Sequence, residues 1–297
     1  LYFAYPVVGE FEFSVDCLEK YWGECDAGYG GILVRSDFGN VMSVTGDDAV
    51  SRPTSGRLRG VPSFKRISVR SANGQMQYSV NGYMVYEEAA HSTSPWITLF
   101  TTQDKIATFR NPRITGNAVI PREVKLLSDN GIEGWSCSGF GDRRPSPRLM
   151  AEKVTDQDSS VAYEQKRQPA VFDWSVKDSV LSGLARPEAA ADRQSRIYYC
   201  RPLQTGETLK YEFYFEPGQI VAHPAIGRFA MLLEADGVKS HWMSQPGWDD
   251  AFSGIPLDNS IVESQFQKGP KELALKSKDW NTVEISLKDE TAIVSLN

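Results

Sequence analysis

The chain is poor in the residues from which most enzymatic and metal sites are built. Its three histidines, His91, His223 and His241, lie far apart with no ligand spacing, which argues against a His-rich metal centre and a Ser-His-Asp triad. Its four cysteines, Cys17, Cys25, Cys137 and Cys200, include no CxxC pair, which excludes zinc ribbons and thioredoxin chemistry. The longest apolar runs, such as that around Met231, fall far short of the roughly 20 residues that cross a bilayer, so no membrane insertion is expected. A basic segment leading into an apolar stretch and a small-residue cleavage site is missing too, so no signal peptide is expected within this stretch. The net charge of −6 comes from acidic and basic residues mixed throughout, with one basic cluster, Asp142–Arg148, that reads as a solvated loop. Nucleic-acid binding is therefore not expected, and no cofactor is implied.

Helical signals are scarce as well. Residues 185–194 could form two turns and 150–154 one. What the chain has instead is alternation: FEFSVD, RISVR, QMQYSV, YMVYEE, TLKYEFYF, TVEISL and AIVSL either alternate apolar and polar residues or are rich in β-branched and aromatic types. This marks half-buried antiparallel strands. Asn73-Gly74 and Asn81-Gly82 tolerate the positive φ that tight hairpins require. Many short strands without a βαβ rhythm predict antiparallel β-sandwiches.

The sequence also repeats. Aligning Phe64 with Trp280 holds a register for eighteen positions at an offset of 216, bringing Ile67 onto Val283, Val69 onto Ile285, Tyr78 onto Val294, Val80 onto Leu296 and Asn81 onto Asn297. Leu1–Val7 matches Ile197–Leu203 at an offset of 196, and with Thr205-Gly206 taken as an insertion Phe11, Phe13 and Val15 fall on Leu209, Tyr211 and Phe213. Two diverged copies follow, residues 1–120 and 121–297, each expected to be cut short by an end of the chain, with neighbouring domains of a longer protein beyond.

Copy two carries GWSCSG at Gly134–Gly139, DWSVKDSVLSG at Asp173–Gly183 and DWNTVEISL at Asp279–Leu287; copy one carries GGILVRS at Gly30–Ser36, FKRISVR, SVNG at Ser79–Gly82 and FRNPRITG at Phe109–Gly116. In this order the motifs resemble the concanavalin A-like lectin and glucanase superfamily, in the branch of laminin-G-like modules and 3-keto-disaccharide hydrolase-like domains. The chain also resembles an uncharacterised family of large planctomycete proteins. The resemblance implies an all-β fold of two tandem antiparallel jelly-roll sandwiches, glycan handling and an extracytoplasmic location, with Trp135, Trp174 and Trp280 packed in the core. Asp178-Ser179 departs from the usual Asp-Gly, and Pro112 implies that the closing strand is an edge or is bulged.

Retaining glucanases of that superfamily place paired carboxylates on one strand face, about 5 Å apart, in a Glu-x-Asp-x-x-Glu pattern that is absent here. Glu10, Glu12, Ser14 and Asp16 share a face, but copy two places Thr208, Lys210, Glu212 and Tyr214 there, so the row reads as a solvated outer face. Copy two carries eighteen extra residues between Gly237 and Trp280, and within them lie Trp242, Trp248, Asp249, Asp250, Asp258 and Asn259. Exposed aromatics stack on sugar C–H faces while carboxylates and amides hold hydroxyls, so Trp242, Trp248, Asp249, Asp250 and Asn259 are the leading ligand-binding candidates. A structural flap remains the other reading of that loop. Trp22, Tyr29 and Trp96 are weaker candidates of the same kind, and Asp249 and Asp250 could offer oxygens to Ca2+, although no known calcium-loop spacing is present. Cys17 and Cys25 either close a disulfide in an oxidising compartment or pack as reduced thiols.

Three functions fit these features. The first is a non-catalytic carbohydrate-binding or adhesion module with a glycan or polysaccharide partner. The second is a glycoside hydrolase-like enzyme using Asp249 or Asp250 with Glu234, and the third is a structural spacer.

Overall fold

The computed structural model describes residues 1–18, 25–35, 40–43, 64–101, 107–129, 134–139, 174–183, 195–218, 222–243 and 272–297. The helical turns expected at 150–154 and 185–194 lie outside these residues. Every regular element among the described residues is a β-strand, and all pair antiparallel, as the alternation predicts. The chain divides by packing into two compact units, Leu1–Arg201 and Pro202–Asn297. This partition differs from the repeat boundary at 120/121, because residues 134–139 and 195–201 pack with the first unit.

The first unit contains β1 (Val8–Leu18), β2 (Asp26–Tyr29), β3 (Ile32–Arg35), β4 (Asn40–Ser43), β5 (Phe64–Ala72), β6 (Gln75–Val80), β7 (Tyr83–Ala89), β8 (Ile97–Phe100) and β9 (Thr108–Val119). They form a five-stranded sheet, β7-β6-β5-β1-β9, and a four-stranded sheet, β4-β3-β2-β8. The inward parity of β1 and β5, Phe11, Phe13, Val15, Ile67 and Val69, packs against Ala27, Tyr29, Val34 and Ile97 of the second sheet. Ile67, Val69, Tyr78 and Val80 are all fully buried. Burial of each aliphatic side chain contributes about 1.5–3 kcal/mol. The outward parity is polar, and Glu10, Glu12, Arg66 and Arg70 are exposed as expected for a solvated face. Asp16 at the end of the same row is instead buried, because Arg66, Arg110 and Asn111 cover its carboxylate, which corrects the expectation there.

Turn chemistry fits the register. Ala72 pairs Gln75 across Asn73-Gly74, whose φ values of 52° and 72° suit a two-residue hairpin turn. Gly30-Gly31 does the same between Tyr29 and Ile32, with φ of 68° and 85°. Asn81 (φ 50°) caps the β5–β6 hairpin by exchanging bonds with Arg66: its Oδ1 accepts from Arg66 N at 2.8 Å and its own N donates to Arg66 O at 2.8 Å. At β9 the register skips from Asp16↔Arg110 to Ser14↔Arg113, leaving Asn111 and Pro112 as a bulge on an edge strand, as Pro112 implies.

Two ribbons complete the first unit: β10 (Trp135–Gly139) with β13 (Ser195–Tyr199), and β11 (Trp174–Lys177) with β12 (Val180–Gly183). Asp178 and Ser179 both take positive φ, 52° and 62°, in the β11–β12 turn where Asp-Gly would be usual. Contacts with Asp129 offset the strain at Ser179: its N donates to Asp129 O at 3.0 Å and its Oγ to Asp129 Oδ1 at 2.7 Å.

The second unit contains β14 (Thr208–Phe215), β15 (Ala225–Ile226), β16 (Phe229–Glu234), β17 (Gly237–Trp242), β18 (Asp279–Lys288) and β19 (Thr291–Leu296). Its sheets run β14-β18-β19 and β15-β16-β17, enclosing Phe213, Met231, Leu233, Val283 and Ile285. The strand order of β1–β6 is thus repeated by β14–β19. Ile67↔Val80 and Val69↔Tyr78 recur as Val283↔Leu296 and Ile285↔Val294, the register expected from the 216 offset. Asn297 (φ 58°) reproduces Asn81: its Oδ1 accepts from Thr282 N at 3.1 Å and its N donates to Thr282 O at 2.9 Å.

One expectation is corrected. Val15 pairs Ile67 and Tyr211 pairs Val283, so Val15 corresponds to Tyr211 and Phe13 to Leu209. The 196 offset of the opening segment continues through the strand, and no two-residue insertion at Thr205-Gly206 is needed. The misplacement was invisible in the pattern because a shift of two residues leaves every side chain on its original face.

Candidate functional site

In β14 and β18 the side chains facing away from the core alternate with those inside it. In-register pairs on this outer face are Tyr214↔Trp280, Glu212↔Thr282, Lys210↔Glu284 and Thr208↔Ser286. Tyr214 and Trp280 are 50% and 43% exposed, and their rings meet edge to face with centroids 5.8 Å apart. Thr282 Oγ1 donates to Glu212 Oε1 at 3.4 Å, and the Thr208 and Ser286 hydroxyls lie 3.1 Å apart. An aromatic platform therefore borders a row of hydroxyl, carboxylate and ammonium groups. Such a surface can stack on the apolar face of a sugar ring while donating to and accepting from its hydroxyls.

The equivalent positions of the first unit do not present this surface. Leu18 pairs Phe64, and the Arg110 guanidinium lies 3.5 Å above the Phe64 ring. Beside them Asp16 is buried and holds Arg66, Arg110 and Asn111.

Among the residues expected to bind ligand, Trp242 ends β17 at 48% exposure, edge to face with Phe229 at 5.3 Å. Tyr29 is a core residue, with its ring against Phe11 at 5.4 Å and its hydroxyl donating to Val7 O at 2.6 Å. Burial raises its pKa, and its face is closed to a ligand. Trp96 is likewise buried, donating to Tyr199 Oη at 3.0 Å and covered by Arg201 at 3.9 Å. Trp22, Trp248, Asp249, Asp250, Asp258 and Asn259 lie outside the described residues.

Trp280 was expected in the core, and the structure corrects this. It lies three residues before buried Val283, an odd number, so the pleat turns it to the opposite face. Tyr214 and Trp280 as a pair were missed by sequence reasoning, although the same parity count applied to both strands would have found them. Trp135 and Trp174 are half-buried: the Trp135 indole donates to Leu126 O at 2.6 Å and meets Tyr199 at 5.1 Å.

Glu234, the carboxylate expected to partner Asp249 or Asp250 in a hydrolase, is bonded to Lys239 in the β16–β17 turn, and Lys239 also lies 3.2 Å from Asp236. Half-buried His223 accepts from Leu233 N at 3.0 Å, and desolvation depresses its pKa. In the first unit Glu88 accepts from Tyr78 at 2.9 Å and Tyr86 at 3.2 Å and lies 3.7 Å from His91, whose other ring nitrogen is 3.3 Å from Thr93. These bonds fix the loop beside the Gly30-Gly31 turn. Among the described residues no group of three or more His, Cys, Asp or Glu could hold a metal ion.

Two family models match. One described as a domain of unknown function (DUF1583_N) covers residues 189–297, and one described as a protein of unknown function (DUF1581) covers residues 68–174. The chain thus carries two such domains in tandem, the first match spanning the whole second unit. No curated protein matches the chain.

Proposed function

We propose that the chain is a carbohydrate-binding, non-catalytic tandem of concanavalin A-like sandwiches in an extracytoplasmic protein, with the outer face of β14 and β18 as its glycan platform. The observation that carries this reading is the exposed Tyr214–Trp280 pair bordered by Glu212, Thr282, Lys210 and Glu284. An exposed aromatic pair contributes nothing to the core beneath it, and its cost in solubility is offset when a ligand covers it. The flanking groups suit neutral sugars: two carboxylates, Glu212 and Glu284, against one ammonium, Lys210, leave no net positive charge for an anion to exploit. Trp242, at the end of β17 in the other sheet, is a separate exposed aromatic.

The test is affinity electrophoresis of the full chain through gels containing neutral and acidic polysaccharides, with Trp280→Ala and Tyr214→Ala alongside. Retardation by a neutral polysaccharide is expected, weakened about tenfold in each variant, a loss of about 1.4 kcal/mol. Absence of retardation by every polysaccharide, or retardation unaffected by both substitutions, overturns the reading. Release of reducing sugar by the wild type would favour the hydrolase instead.

A further inference from the structure

Cys17 and Cys25 are both fully buried and belong to opposite faces of one core. Cys17 lies on β1 of the five-stranded sheet, opposite Lys65 and Phe109. Cys25 immediately precedes β2 of the four-stranded sheet. Both are free thiols, and Cys25 Sγ donates to Thr108 O at 3.3 Å; Thr108 and Phe109 on β9 pair Leu18 and Cys17, so the two thiols approach the same point of the core. A disulfide between them would bring the sulfurs to roughly 2.05 Å. In the second unit Phe213 stands where Cys17 stands in the first, and it fills its core without a thiol.

We infer that Cys17 and Cys25 are a disulfide site that staples the two sheets of the first sandwich when the chain folds in the presence of a disulfide oxidant. The thiolate of one cysteine attacks a sulfur of the oxidant, a small disulfide or a disulfide oxidoreductase. One oxidant sulfur leaves as thiolate, and a mixed disulfide forms. The second cysteine's thiolate then attacks the protein sulfur of that mixed disulfide, expelling the oxidant's other sulfur. The protein is oxidised by two electrons, the oxidant is reduced to two thiols, and the two cysteine protons end on them. Because both sulfurs are enclosed in the finished core, the exchange takes place before the sheets close. This inference does not depend on glycan binding.

Trypsin offers a direct readout, because Lys20 lies between the two cysteines, no Lys or Arg precedes it, and the next cleavage follows Arg35. The full chain is refolded with oxidised and reduced glutathione, alkylated in denaturant without reductant, and digested. The expected product is peptide 1–20 linked to peptide 21–35, about 2 Da lighter than the two free-thiol peptides together. The unfolding equilibrium of the oxidised chain should shift roughly 80-fold toward the folded state relative to the reduced chain, as closure of so short a loop implies. Recovery of the two peptides separately and alkylated, or linkage of either cysteine to Cys137 or Cys200, overturns the inference.

Discussion

Replacing Asp16 by Asn tests how the edge strand β9 is held. The Asp16 carboxylate accepts from Arg66 Nε at 2.9 Å, Asn111 Nδ2 at 2.9 Å and Arg110 Nε at 3.3 Å, joining β1 to both of its neighbours. These bonds, that from Arg66 foremost, hold its pKa down at about 2 against an ordinary 3.8. A shift of that size is worth at most about 2.5 kcal/mol. The arginine side chains are 55% and 53% exposed, so solvent screening reduces it, and about 1–2 kcal/mol is expected. A depressed carboxylate stabilises the fold fully above its unfolded pKa near 4, and that contribution is lost as pH falls through about 2. Asp16→Asn should therefore accelerate hydrogen exchange of the β9 amides roughly 5- to 30-fold at pH 7, a factor that follows from the same free energy. In urea titrations the deficit of the variant should stay constant from about pH 7 to 5 and shrink as pH falls from about 4 toward 2. Wild-type exchange at β9, or a deficit equally large at pH 2, would refute the reasoning.

Two further substitutions probe the turns and the ribbon. Asn81→Ala removes the bond to Arg66 N and places an ordinary side chain at φ 50°. It should cost about 1–2 kcal/mol in urea unfolding, with Asn81→Gly losing less because glycine accepts that φ; equal effects would remove backbone conformation from the account. Gly134→Ala adds a Cβ 2.5 Å from Ser94 Cβ at φ +82°. It should speed exchange of the β10–β13 ribbon strongly, at a cost of about 2–3 kcal/mol, while the β5–β6 hairpin changes little; exchange unchanged in the ribbon would contradict the packing.

Much of the architecture was legible because it is local. A strand's period of two, a two-residue turn and an asparagine at positive φ are properties of neighbouring residues, so the hairpin of Phe64–Val80 and its echo at Trp280–Leu296 could be read without coordinates. The same parity put Glu10 and Glu12 on the outer face. The candidate site was less legible: aromatic identity drew attention to Tyr29 and the family resemblance assigned Trp280 to the core, whereas burial depends on which face a residue occupies and what lies opposite. Tyr29 is closed off by Phe11 and Val7, and Trp280 is open beside Tyr214.

By itself the sequence determined the strand class, the turns and the repeated register, since each follows from the spacing of polar and apolar residues along the chain. Tertiary structure alone decided what distant segments bring together. The Asp16 carboxylate meets Arg110 and Asn111 from a strand far along the chain, Cys17 and Cys25 enter one core from two sheets, and Tyr214 meets Trp280 across two paired strands. Such meetings depend on sheet order and on the packing of one face against another, and no local spacing encodes either.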